Sequence, residues 1–154
     1  MLAYVGLGSN LGDRAAYLRL GVELIASGEP ARVSDVYETA PIGGPPQGPY
    51  LNCVLELDTR ATARELLARC EAAEVAAGRR RSVKDGPRTL DADVLLVGDL
   101  VVRERDLVVP HPRMWSRRFV LQPLAQLAPQ LVDPSVLDAS EGQVARLGTL
   151  GEIR

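Results

Sequence analysis

The chain alternates short apolar runs with two helical patterns. Residues 2–7 (LAYVGL) are almost entirely apolar and predict a buried strand. Gly6, Gly8, Ser9, Asn10 and Gly12 then form a turn into a helix that Asp13 can cap. Leu18, Val22 and Ile25, spaced i, i+4, i+7, mark its inner stripe, and Gly28 with Pro30 stops it after Ser27. Residues 32–39 read as one strand carrying Val33 and Val36. Four prolines and three glycines crowd residues 40–50, too many breakers for helix or ladder, so this stretch is a loop between two strands.

Residues 51–58 fit a strand, and Thr62 with Glu65 writes a capping box for a helix reaching Ala77 and ending at Gly78. After a basic loop at 79–89, residues 90–97 predict a strand, and Gly98-Asp99 predicts a two-residue turn into a further strand at 100–102. Residues 113–127 read as a helix interrupted by Pro123, and residues 140–147 as a weak helix. The order strand, helix, strand, strand, helix, strand predicts a ferredoxin-like α+β sandwich with an antiparallel sheet and a C-terminal extension. At 154 residues, one domain spanning 1–154 is expected.

Composition narrows the chemistry. With 46% hydrophobic and 25% charged residues, no long apolar run and no leader-like start, a soluble chain without membrane contact is expected. Two cysteines, Cys53 and Cys70, lack companion ligands and are expected to be buried thiols. One histidine, His111, excludes any site needing two imidazoles, and no GxxxxGK[ST] loop is present. A net charge of -2 argues against general nucleic-acid binding. The charge is nevertheless uneven: Arg79, Arg80, Arg81, Lys84 and Arg88 fall together, opposed there only by Asp85, and form a candidate anion trap.

Asp91 and Asp93 lie two apart on a predicted strand, so their carboxylates share a face, with backbones ~6.6 Å apart. Beside an arginine loop, such a pair suits divalent cations that carry phosphate. Glu74 falls on the stripe of Leu66, Cys70, Ala73 and Ala77, so it faces inward and needs a partner: a loop arginine, or a nucleotide hydroxyl or amino group. The Gly6-Leu7-Gly8 turn is not a dinucleotide fingerprint, because Leu11 occupies the third glycine position. His111 sits between two prolines that can aim its ring at a site. Tyr50, Trp115 and Phe119 are scarce aromatics, serving either the core or a flat heteroaromatic ligand. On these residues alone, a two-metal phosphohydrolase and a non-catalytic ligand-binding module both stay open.

Five ordered segments carry a resemblance: GLGSNLGD (6–13), VYETAPIG (36–43), YLN (50–52), GPRTLDADVLL (86–96) and VPHPRMWSRRFVLQPL (109–124). Together they resemble the 6-hydroxymethyl-7,8-dihydropterin pyrophosphokinase family over residues 1 to about 135. The resemblance implies a cytoplasmic, monomeric enzyme of folate biosynthesis. It would move the β,γ-pyrophosphoryl group of ATP to the pterin's 6-hydroxymethyl oxygen and release AMP. It implies that Asp91 and Asp93 bind two Mg²⁺ ions, one of the pair also serving the attacking hydroxyl. Arg79, Arg81 and Arg88 match phosphate-contacting loop arginines, His111 and Arg117 match further ATP ligands, and Glu74 matches a nucleotide contact. Tyr50 and Phe119 match rings that sandwich the pterin, while Asn52, Thr39, Pro41 and Ile42 match groups that read its edge.

Departures from the family pattern lie at Ala92 between the aspartates, at Asp85 where many members carry a lid tryptophan, and at Trp115 where relatives often have histidine. Trp115 is thereby a candidate for a substitute ring.

Overall fold

A computed structural model describes residues 1–41, 43–78 and 86–153. The central sheet contains β1 (Leu2–Ser9), β2 (Ala31–Val33), β3 (Val36–Thr39), β4 (Tyr50–Asp58), β5 (Asp91–Val97) and β8 (Val144–Gly148). Its spatial order is β5-β1-β4-β3-β8, with β2 also paired to β4, and its paired strands are antiparallel. With α1 (Arg14–Ala26) following β1 and α2 (Ala63–Ala76) following β4, this is the ferredoxin-like α+β sandwich that the element order predicts.

Each face buries its own core. Leu18 and Ile25 of α1, Leu66 and Cys70 of α2, and Val5, Leu7, Leu55 and Leu57 of the strands form one. On the opposite face, α3 (Arg118–Leu127) packs Leu121 and Leu124 against Tyr4, Val54 and Leu95. The alternation of β1 and β4 sends neighbouring residues to opposite layers, so nearly the whole of these strands is buried.

The predicted caps form. Asp13 accepts from the Ala16 amide at the start of α1. Thr62 Oγ1 accepts from Glu65 N, and Glu65 Oε1 accepts from Thr62 N. Cys53 and Cys70 are free and buried, and burial pushes the Cys53 thiol up to about 12.

Four sequence expectations need correction. Residues 32–39 are two strands, because at Ser34 the side-chain hydroxyl replaces a ladder partner and accepts from Val54 N at 2.8 Å. The Gly98-Asp99 turn is present, but residues 100–102 do not return along β5. Instead β6 (Val102–Arg103) pairs with β7 (Val108–Val109), since the edge of β5 is already engaged: Leu95 O accepts from His111 N at 3.0 Å.

Pro123 does not interrupt α3, which runs through it. The break in 113–127 comes earlier, at Arg117, whose extended backbone separates a short 3-10 turn (Met114–Ser116) from α3. Residues 140–147 are not helical. Helix α4 (Pro134–Ala139) ends before them, Gly142 takes a positive φ of 107° that disfavours helix, and β8 adds to β3. Arg146 pairs with buried Asp35, which ties β8 to the sheet.

Candidate functional site

The site opens at one end of the sheet, where β1, β4 and β5 meet the loops around them. Asp91 and Asp93 stand opposite Gly8 and Gly6 in the β1-β5 ladder, on the same face of β5, while Ala92 between them turns into the core. The residue between the aspartates thus concerns packing and not the site. Both carboxylates line a cavity of about 390 Å³, within the range of a small-molecule pocket.

His111 and Arg117 supply the cationic and imidazole flank. The amide of His111 is fixed to Leu95 O, two residues beyond Asp93, so the ring is carried to the pocket by the strand that holds the carboxylates. Arg113 N donates to His111 Nδ1 at 3.2 Å, which leaves the neutral ring protonated at Nε2. Burial and then the nearby Arg117 and Arg113 charges hold the imidazole pKa below its ordinary 6.5. A neutral ring presenting one N–H suits an anionic partner as a hydrogen-bond donor.

The other flank is aromatic and amide-rich. Tyr50 opens β4, Phe119 lies in the first turn of α3, and both line the cavity with Thr39, Pro41 and Asn52. Buried Asn52 donates through Nδ2 to Thr39 Oγ1 at 2.7 Å, fixing an amide in the wall. Gly8 makes this possible: a Cβ there would come within 2.5 Å of Asn52 Oδ1. Arg117 lies over the Phe119 ring, 5.5 Å from its centroid, and joins the two flanks.

Not every expected residue enters the cavity. Glu74 accepts the Ala92 amide at Oε2, at 3.0 Å, so this inward carboxylate is bonded to the backbone of β5. Arg88 does not line the cavity, but its backbone is bonded to Asn10 on both sides: Arg88 N donates to Asn10 Oδ1, and Asn10 N donates to Arg88 O. Trp115 is 39% exposed in its turn and does not line the cavity. Ile42, Arg79, Arg81 and Asp85 lie outside the described residues.

Three participants escaped the sequence reading. Gln47 and Arg113 line the cavity, and buried Asn10 bonds both bordering loops. Arg113 could have been found from its place two residues after His111, whereas Gln47 lies among loop breakers that give no direction to a side chain. Among the described residues no group of three or more His, Cys, Asp or Glu converges to hold a metal. Two carboxylates fit Mg²⁺, which keeps waters and takes phosphate oxygens as its remaining ligands.

A ferredoxin-like sandwich with a pocket that joins a carboxylate, imidazole and arginine flank to a flank of two rings and a fixed amide defines a class: an α+β chain whose site pairs an anion-compatible wall with an aromatic one. Residues 4–129 match the family 7,8-dihydro-6-hydroxymethylpterin-pyrophosphokinase. The chain belongs to this family. Relatives called 2-amino-4-hydroxy-6-hydroxymethyldihydropteridine pyrophosphokinase are similar to it. That of Bacillus subtilis (strain 168) is 44% identical over 133 residues, covering 84% of this chain and 80% of the relative. That of Aquifex aeolicus (strain VF5) is 39% identical over 132 residues, covering 85% and 82%. That of Methylorubrum extorquens (strain AM1) is 44% identical over 133 residues, covering 84% of each chain.

Proposed function

We propose that this chain transfers the β,γ-diphosphoryl group of ATP to the 6-hydroxymethyl oxygen of 6-hydroxymethyl-7,8-dihydropterin, releasing AMP, in folate biosynthesis. The observation that carries the reading is the joint lining of one cavity by Asp91, Asp93, His111 and Arg117 with Tyr50, Asn52 and Phe119, in a chain that matches the family over residues 4–129.

The pterin would lie between Tyr50 and Phe119, with Asn52, Thr39 and the backbone from Thr39 through Pro41 to Ile42 meeting its hydrogen-bonding edge. Such stacking contributes ~0.5 to 1.5 kcal/mol beyond area burial. Its hydroxymethyl oxygen attacks the β-phosphorus of ATP. The new O–P bond forms as the bond between the β-phosphorus and the α,β-bridging oxygen breaks, AMP leaves, and a carboxylate of the Asp91/Asp93 pair takes the hydroxyl proton. Asp91 and Asp93 would hold two Mg²⁺ ions. When bound, these supply charge neutralisation for the triphosphate.

The remaining work falls to side chains of this chain. His111 offers its Nε2–H to a phosphate oxygen, and Arg117 adds a planar cation beside it. Arg79, Arg81 and Arg88 would contact the phosphates, and Glu74, bonded to the β5 backbone, would contact the nucleotide. Holding both substrates in one cavity supplies much of the rate through orientation.

The chain would act in the cytoplasm as a single-domain monomer, without nucleic-acid or membrane partners. No described helix is long and apolar enough to cross a membrane. An assay for AMP with Mg²⁺ and ATP, with and without the pterin, tests the proposal. AMP release that requires the pterin supports it, and release independent of the pterin, or none at all, rejects it.

A further inference from the structure

Arg32 joins a buried carboxylate to the far end of the helix that carries Phe119. Glu56 is 7% exposed and stands opposite Tyr4 in the β1-β4 ladder and opposite Arg32 in the β2-β4 ladder. Its Oε2 accepts from the Tyr4 hydroxyl at 2.8 Å and from Arg32 Nη2 at 3.0 Å, and its Oε1 accepts from Arg32 Nε at 2.8 Å. This fork sets the plane of the guanidinium, whose Nη2 also donates to Leu127 O at 3.0 Å. Leu127 is the last residue of α3, so its carbonyl has no partner within the helix and favours a cation beside it.

The place of this bond gives it a bearing on the cavity. Asn52, Val54 and Glu56 alternate onto the face of β4 that α3 covers, and the first two line the cavity. The four residues from Asn52 to Glu56 span ~13 Å, and the eight from Phe119 to Leu127 span ~12 Å. One helix thus reaches from the Arg32 row to the cavity wall. Leu121 and Leu124 hold its middle by apolar packing, which has no direction and fixes the buried face better than the position along the axis. Polar bonds supply that position at the C-terminal end. There Gln126 Oε1 accepts from Asp35 N at 2.9 Å and from the Tyr37 hydroxyl at 3.1 Å, beside the Arg32 bond. At the other end, the bonds of Arg118 run to carbonyls of residues 138–142, outside the strands.

We infer that Arg32 is a positioning residue for the aromatic wall: held by Glu56, it seats α3 from its C-terminal end and so sets the place of the Phe119 ring. Arg32 itself does not line the cavity. The inference rests on the proposed pterin reading of Phe119.

Phe119 is the chain's only phenylalanine, so labelled phenylalanine gives one set of ring signals by NMR. In the full chain without ligands, Arg32→Met should shift those signals, and Arg32→Lys, which restores the charge, should shift them less. Calorimetry with Mg²⁺, α,β-methylene ATP and 6-hydroxymethyl-7,8-dihydropterin then reads the effect on the site. Arg32→Met should weaken pterin binding by about 3- to 10-fold, within the range of substitutions that touch no ligand. In a Phe119→Ala background the same substitution should change pterin Kd by less than ~2-fold while its loss in Tm recurs, because the ring it positions is gone.

Tyr4→Phe is the control. It takes one bond from Glu56 but leaves Arg32 on Leu127 O, so Tm should fall with pterin affinity within ~2-fold of wild type. Unmoved ring signals in folded Arg32→Met, an equal pterin loss with and without Phe119, or an equal pterin loss in Tyr4→Phe would each overturn the inference. Failure of the wild type to bind the pterin would overturn the reaction proposed above, and the ring signals would still decide whether Arg32 positions Phe119.

Discussion

The guanidinium of Arg117 lies over the ring of Phe119, 5.5 Å from its centroid, so a cation of the anionic flank and a ring of the aromatic flank rest on each other at the start of α3. Phe119→Ala should therefore disturb both ligands unequally. Pterin binding should fall about 10-fold through lost stacking and area. Nucleotide binding should fall about 2- to 5-fold through the loosened arginine, as a contact worth ~0.5 to 1 kcal/mol predicts. Tyr50→Ala should lower pterin affinity alone. Calorimetric titration of each variant with each ligand checks the pattern, and equal effects of the two substitutions on the nucleotide would contradict it.

Asp91→Asn and Asp93→Asn should each lower kcat/KM by more than ~100-fold, since several kcal/mol of charge stabilisation are lost and ~1.36 kcal/mol is one decade. Neither carboxylate belongs to the core, so thermal stability should change little. Steady-state rates against Mg²⁺ concentration, together with melting curves, check this, and rates within threefold of wild type would contradict the assignment.

The bond from Ala92 N to Glu74 Oε2 gives this glutamate a structural task at the edge of β5. Glu74→Ala should cost about 1 to 3 kcal/mol by leaving the strand amide without its acceptor. Each kcal/mol corresponds to ~2 to 4 °C in Tm at this chain length. Glu74→Gln retains an acceptor and should melt closer to wild type. A nucleotide affinity that falls in Glu74→Gln at unchanged Tm would separate a ligand contact from the structural one.

Much of this was legible in the sequence where a local rule sufficed. The Asp13 cap, the Thr62/Glu65 box and the shared face of Asp91 and Asp93 depend only on near neighbours and strand period. What failed depended on partners far along the chain. Val144–Gly148 forms β8 because β3 offers an open edge and Asp35 waits for Arg146, and nothing within residues 140–147 announces either. The split of 32–39 hinges on Ser34 accepting from Val54, twenty residues on. Asn10 looks like a turn residue until the fold brings Gln47 and Arg88 to either side of it. Trp115 drew notice as a scarce aromatic, but a 3-10 turn leaves it outside the cavity.

His111 is the chain's only histidine, so its imidazole resonances are unambiguous. Burial, then Arg117 and Arg113, lower its folded pKa, opposed by Asp91. The unfolded chain then binds the extra proton more readily than the folded one. Stability is full above the ordinary histidine value of ~6.5 and falls as pH drops through the lowered folded value. NMR titration should place the midpoint below 6.5, and Arg117→Ala should raise it. His111→Gln should flatten the stability loss between pH 7 and 5, and a midpoint at or above 6.5 in the wild type would contradict the burial and charge account.

In the proposed reaction one cavity brings ATP and a pterin alcohol together for diphosphoryl transfer. Phosphorus NMR of a reaction containing the purified chain, Mg²⁺, ATP and 6-hydroxymethyl-7,8-dihydropterin follows every phosphorus at once. AMP and a diphosphate ester of the pterin should form in equal amounts, with no AMP when the pterin is omitted. Formation of ADP with a pterin monophosphate, or of AMP with free pyrophosphate whether or not the pterin is present, would contradict it.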